Sequence, residues 1–320
     1  MTRVRRLPWS TVLRVTGSVA GVGLLLYLLA SQDWEQIRRL FAQIGWGRLL
    51  LALGLTFCSR LVVAGRWHAL LHGARAPIRA RDTLEITFAG LFASNFLPTT
   101  VGGDVVRLAG AFQLKIDKAV STASLIVDRL VGMAGMALAL PIGLIAGYRE
   151  LSGVWAAATG AWLAAAVAAE GERPGWFKRA ARKVRSAGNR VIRALGIWLR
   201  QPRSLLAALG FTLLHMLFLF SSIALLLSAM GESLGLLTIA GLWSLVYFIT
   251  LFPISINGLG LQEVALTAVF TQLGGISTQA ALVLAVCLRL LAMLASLPGA
   301  FFLGRVLPGT GEARMASEAP

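Results

Sequence analysis

Charge is scarce in this sequence, and acid is scarcer still. Only 14% of its 320 residues are Asp, Glu, Lys or Arg, where a soluble domain carries about a quarter, so a soluble globular fold is excluded. Cysteine occurs twice, as Cys58 and Cys287, each inside an apolar stretch. Two isolated thiols there support neither a disulfide framework nor a zinc site. Histidine is nearly as rare. His68 and His72 stand four apart on a predicted helix, a spacing that two metal ligands can share, but no third ligand is near in sequence and no metal is expected. His215 is alone in an apolar stretch and reads as a packed residue with one hydrogen bond. There is no Walker loop, no dinucleotide fingerprint and no nucleophile with its base. Neither ATP nor another cofactor is expected, and the chain is not expected to be an enzyme.

What is present is apolar: 57% of the residues are hydrophobic. Stretches long enough to cross a bilayer, about 18 residues or more, fall near 12–30, 48–70, 119–147, 152–170, 204–229 and 279–306. The basic start, Arg3, Arg5 and Arg6, followed by an apolar run resembles a signal peptide, but no small-x-small site follows Leu28 to Ala30, so the run reads as an uncleaved first span.

Two further segments do not read as simple spans. Residues 84–114 carry an apolar half that ends at Asn95 and Pro98, a break at Gly102 and Gly103, and a shorter half from Asp104. Residues 235–275 repeat the plan with Pro253, Asn257, Gly258 and Gly260, then a short run from Gln262. Irregular backbone is tolerated at membrane depth only where protein or a wet cavity satisfies it, so both segments are predicted to be re-entrant hairpins. Two short spans joined in water are the competing reading.

Net charge is +16, and the basic residues are bunched between the apolar runs. A membrane with anionic lipids accounts for this better than nucleic acid does. With both hairpins re-entrant, Arg75, Arg79, Arg81, Lys115, Lys118 and the basic loop 171–203 fall on one side, while Arg38, Arg39 and Arg149 lie opposite with Asp33, Glu35, Glu150 and Glu232. The positive-inside rule then makes the first side cytoplasmic, with both termini. In the loop, Phe177, Ala180, Val184, Ala187, Val191 and Leu195 recur at helical spacing between Trp176 and Trp198. That pattern suits a helix in the inner headgroup layer with both tryptophans at the interface; a solvated basic loop is the alternative.

The fold expected is an all-α polytopic membrane protein with about six full spans and two re-entrant helical hairpins. Each hairpin is followed by a span with an early arginine, Arg129 or Arg289, and a later proline, Pro141 or Pro298. The halves, 10–150 and 204–306, therefore read as an inverted-topology repeat, a construction that places binding sites at the repeat interface. Residues 1–320 form a single membrane domain, and 307–320 form a polar tail.

Ionisable side chains at bilayer depth cost about 2.5–3.5 kcal/mol each on insertion scales. Those singled out are Arg60, Asp104, Arg107, Asp128, Arg129, Glu263 and Arg289. Salt bridges that lock the repeats together account for them on one reading. On the other, Arg107, Arg129 and Arg289 hold a phosphate, for which guanidinium is a planar, permanent partner. Half-helices that begin after the glycine breaks would add amide donors, unless Asp104 and Glu263 cap them.

Asn95-Phe-Leu-Pro-Thr-Thr-Val-Gly-Gly-Asp104-Val-Val-Arg107, Asp128-Arg129 and Asn257-Gly-Leu-Gly-Leu-Gln-Glu263 resemble the membrane domain of lysylphosphatidylglycerol synthases, the flippase-like family, over nearly all of 10–306. The resemblance implies a translocator of a phospholipid or polyprenyl-linked lipid. It implies functional positions at Asn95, Pro98, Gly103, Asp104, Arg107, Arg129, Asn257, Gly258, Gly260 and Glu263. Many members carry Glu where this chain has Asp128, which leaves Asp128 the least secure position. The synthase's soluble domain would follow the last span, where only the tail stands, so this chain is not expected to make lysylphosphatidylglycerol. The apolar runs and inward basic loops lead us to expect a bacterial inner-membrane location, and the buried arginines a membrane lipid with an anionic or phosphate headgroup as partner. A non-catalytic membrane partner for a glycosyltransferase or lipid-modifying enzyme, docking through loop 171–203, is the alternative.

Overall fold

The structure is a computed structural model, and it describes residues 32–96, 102–146, 196–198, 200–251 and 256–306, with scattered positions from 19 to 30. Every regular element among the described residues is helical. In chain order they are α1 (Trp34–Gly73), α2 (Ala80–Phe96), α3 (Gly102–Gln113), α4 (Lys118–Ala146), α5 (Pro202–Ala229) and α6 (Leu236–Thr250). After a short 3-10 turn (Ile256–Gly258) come α7 (Leu261–Gln272), α8 (Thr278–Ser296) and α9 (Pro298–Val306). Four of them, α1, α4, α5 and α8, are long and apolar enough to cross a membrane. The expected spans near 12–30 and 152–170, and most of loop 171–203, lie outside the described residues.

Both predicted breaks separate two helices. α2 and α3 flank the first and pack on each other, and α6 and α7 do the same around the second. Close approach in the first pair depends on glycine. A Cβ on Gly90 would lie 2.8 Å from the Gly103 carbonyl oxygen and 2.9 Å from Arg107 Cγ, and one on Gly103 would lie 2.7 Å from the Gly90 carbonyl oxygen. Only hydrogen fits at either position.

Three details differ from the sequence expectation. Residues 34–44, read as an outer loop, are the first part of α1, which bends at Gly45 (φ 69°, ψ 152°). Asp33 caps this part through the Glu35 amide at 2.9 Å. It turns Ile37, Leu40 and Ile44 into the core and leaves Arg38 and Arg39 exposed beside Glu35. The period of 3 to 4 apolar residues is helical, but the segment is too short to show on length alone. The stretch 279–306 is two helices, because Pro298 cannot continue α8 and instead opens α9, where its missing N–H is harmless. Pro141, its counterpart, stays inside α4. Finally, Trp198 is covered by protein and does not face outward. It is 1% exposed, packs among Leu70, Ala123, Val127 and Ala208, and donates its indole N–H to the Leu70 carbonyl at 2.9 Å.

The halves are interleaved. α1 packs along α5 and α8, α4 lies on α6, and α9 returns to α2. There Gly299 abuts the Phe88 carbonyl, and Gln113 Nε2 donates to the Val306 carbonyl at 2.5 Å. The largest apolar cluster joins α1, α4 and the second-half helices, and a smaller one lies under the first hairpin.

Candidate functional site

α3 is short and starts at the first break, so it presents Asp104 in its first turn and Arg107 one turn later. Arg107 is held from three sides. Its Nη1 and Nη2 donate to Asp128 Oδ2 at 3.2 and 3.1 Å, its Nη1 lies 3.6 Å from Asp104 Oδ1, and its guanidinium lies 4.3 Å from the centre of the Trp67 ring. Trp67 is itself fixed, 0% exposed, with its indole N–H donated to Ser124 Oγ at 3.0 Å. Asp128, 2% exposed, takes a second arginine on its other oxygen, Arg66 Nε to Oδ1 at 2.7 Å. Two guanidinium groups thus share one carboxylate, with a charge-assisted hydrogen bond on each of its oxygens. Asp128, least secure by resemblance, is the centre of the cluster.

Arg66 is absent from the sequence prediction. The sequence reading singles out Arg60 in the stretch 48–70 and passes over Arg66, although an arginine anywhere in such a stretch requires a partner.

Arg129 behaves differently from its neighbours. Its Nε donates to Asp104 Oδ2 at 2.7 Å and its Nη2 donates to the same oxygen, yet its side chain is 66% exposed and that of Asp104 is 27% exposed. Three arginines therefore meet two carboxylates in the first half, two arginines locked inside and one at the open edge.

The second half repeats the pairing. Glu263, like Asp104, is the third residue of the helix after its break, and it pairs with the arginine 26 positions on, where Asp104 pairs with the one 25 on. Arg289 Nε donates to Glu263 Oε1 at 2.5 Å, and its Nη atoms donate to the carbonyls of Asn257 and Gly258 at 3.4 and 3.3 Å. Glu263 Oε2 accepts the Gly260 amide at 2.8 Å, the carboxylate half of a capping box. The backbone that makes this possible is left-handed at Asn257, Gly258 and Gly260 (φ 51°, 69° and 77°). Arg289 is only 16% exposed, so this copy is closed where the first is open.

The ion pairs at the breaks each lie within one half. Arg305 and Glu85, 3.9 Å apart, pair across the halves, and at the breaks the link is Asn95. Its Nδ2 donates to the Ala292 carbonyl at 3.3 Å and to Ser296 Oγ at 3.0 Å, and its Oδ1 accepts from Asn257 Nδ2 at 3.4 Å. Gly103 is buried against α2, Arg60 is partly buried on α1, and Pro98 lies outside the described residues.

Membrane-length helices, paired helix breaks and acid–arginine pairs gathered at those breaks define a multi-pass membrane protein with a polar interior. The chain belongs to the lysylphosphatidylglycerol synthase transmembrane-region family, which matches residues 13–299. Among curated proteins, none matches it.

Proposed function

We propose that the protein translocates a lipid with a phosphate-bearing headgroup, a phospholipid or a polyprenyl-phosphate-linked lipid, across the bacterial inner membrane, with both termini in the cytoplasm and without catalysing a covalent reaction. The observation that carries this reading is the open Asp104–Arg129 pair beside the first break. A phosphate competes with a carboxylate for a guanidinium on equal geometric terms. A headgroup would take Arg129 from Asp104, while Arg66, Arg107 and Asp128 hold the wall behind it. The inner leaflet's anionic lipids are the natural partners of the basic loops, and family membership supports a lipid substrate.

The test is purified protein in liposomes carrying fluorescent lipids of several headgroups. Movement of at least one phosphate-bearing lipid above protein-free liposomes is expected, with at least a tenfold loss in Arg129→Gln. No movement of any lipid would overturn the reading. Loss of the cellular pathway only on replacing the arginines of 171–203, with Arg129→Gln harmless, would assign the chain to a docking role beside a lipid-modifying enzyme or glycosyltransferase.

A further inference from the structure

Arg60 stands apart from the arginines already described. It lies 13 residues before the end of α1 at Gly73, about 20 Å along the helix at 1.5 Å per residue, in the middle of the straight apolar part. Arg66, Arg107, Arg129 and Arg289 each face a carboxylate. Among the described residues Arg60 forms no such pair, and its Nε is buried without an acceptor. Arg107 Nε is the other guanidinium nitrogen in that condition.

The surroundings are polar on two sides. Arg60 and Trp67 are seven residues apart, two helical turns on one face, so Arg60 extends deeper the face that carries the ring beneath Arg107. On the neighbouring face, Ser59 Oγ and His215 Nδ1 form a 2.6 Å hydrogen bond between α1 and α5. One turn along α5, Thr212 Oγ1 accepts from Arg66 Nη1 at 3.3 Å. A polar track therefore runs through otherwise apolar helices from the paired cluster to an arginine with no counter-charge.

A permanent cation at this depth is stabilised by an anion, and its fork matches two oxygens of a phosphate. We propose that Arg60, backed by Ser59 and His215, is a second anion site that takes a phosphate group deeper in the protein than Arg129 does. The inference rests on the translocation reading for its purpose, but not for its test.

The full-length protein in detergent is titrated with dioleoylphosphatidylglycerol, with dioleoylglycerol, which has the tails without the phosphate, and with inorganic phosphate, and bound species are counted by native mass spectrometry. In an Arg129→Gln background, which removes the first site, adding Arg60→Gln is expected to weaken phosphatidylglycerol binding at least tenfold and to leave dioleoylglycerol unchanged. Binding of inorganic phosphate with the same dependence on Arg60 assigns the site to free anion; binding of the lipid alone assigns it to a headgroup. Arg60→Lys keeps the charge without the fork and is expected to bind at an intermediate strength, which covers a failure of the glutamine variant to fold. Equal phosphatidylglycerol binding with and without Arg60 overturns the inference and leaves translocation standing. Arg60-dependent binding in a protein that moves no lipid does the reverse.

Discussion

Asp128 holds two guanidinium groups at once, which lets substitutions separate charge from size. Asp128→Asn keeps the volume but leaves Arg66 buried without a counter-charge and Arg107 with Asp104 alone, 3.6 Å away. Breaking a buried ion pair by removing one partner costs about 3–5 kcal/mol, so a lower unfolding midpoint in detergent and poor yield are expected. Arg129→Gln removes an arginine whose side chain is two-thirds exposed, and exposed pairs contribute about 0–1 kcal/mol. Its midpoint is expected to match the wild type while lipid movement falls. Equal destabilisation in the two variants would contradict the division between a locked wall and an open edge. Trp67→Phe tests that wall more gently. It removes an indole N–H bonded to buried Ser124, and a loss of about 1 kcal/mol is expected, read from the same melts. The residue types were legible in advance, since charge in an apolar run stands out; their partners were not. Arg66 and Asp128 are 62 positions apart, and only the packing of α1 against α4 brings them together.

At the scale of elements, the two helix breaks were readable because glycine and proline interrupt apolar periodicity at 97–103 and 253–260. What makes each break stable differs. The first depends on space, through the mutual approach of Gly90 and Gly103. The second depends on backbone conformation, with Gly260 at φ 77° capping α7. Gly90→Ala is expected to cost about 1–3 kcal/mol by overpacking and to displace Arg107, whose Cγ lies where the new methyl would be. Gly260→Ala is expected to cost about 1–2 kcal/mol, the penalty of left-handed backbone for an L-residue, and to loosen the Glu263 cap without moving the first cluster. Thermal unfolding compares the two; a Gly260→Ala protein as stable as wild type would show that the turn is not held in this conformation. The helix 34–44 and the division at Pro298 escaped the hydropathy reading, which measures length and not whether a run bends or folds back.

On the scale of the whole molecule, the two break tips are joined through Asn95, which reaches Asn257, Ala292 and Ser296. A neutral amide suits this place because it can release its partners without leaving a buried charge. With Cys58 and Cys287 replaced by serine, the pair Asn95→Cys and Asn257→Cys is expected to cross-link with a short thiol reagent. Lipid movement should fall on cross-linking and return on reduction. Failure of short and long reagents alike would show that the break tips do not meet in the bilayer.

The sequence by itself determined the solvent of this protein and the places where its helices stop. Both follow from local composition, since apolar length fixes what can lie in a bilayer and glycine or proline fixes where a helix cannot continue. It also determined which side chains carry charge at depth, Arg66 apart. Only the tertiary structure decided which of them are equivalent. Packing placed Arg107 between a carboxylate and an indole ring, closed Arg289 behind Glu263 and left Arg129 at an open edge. The energy of a buried charge depends on neighbours contributed by other helices, and no local pattern encodes those neighbours.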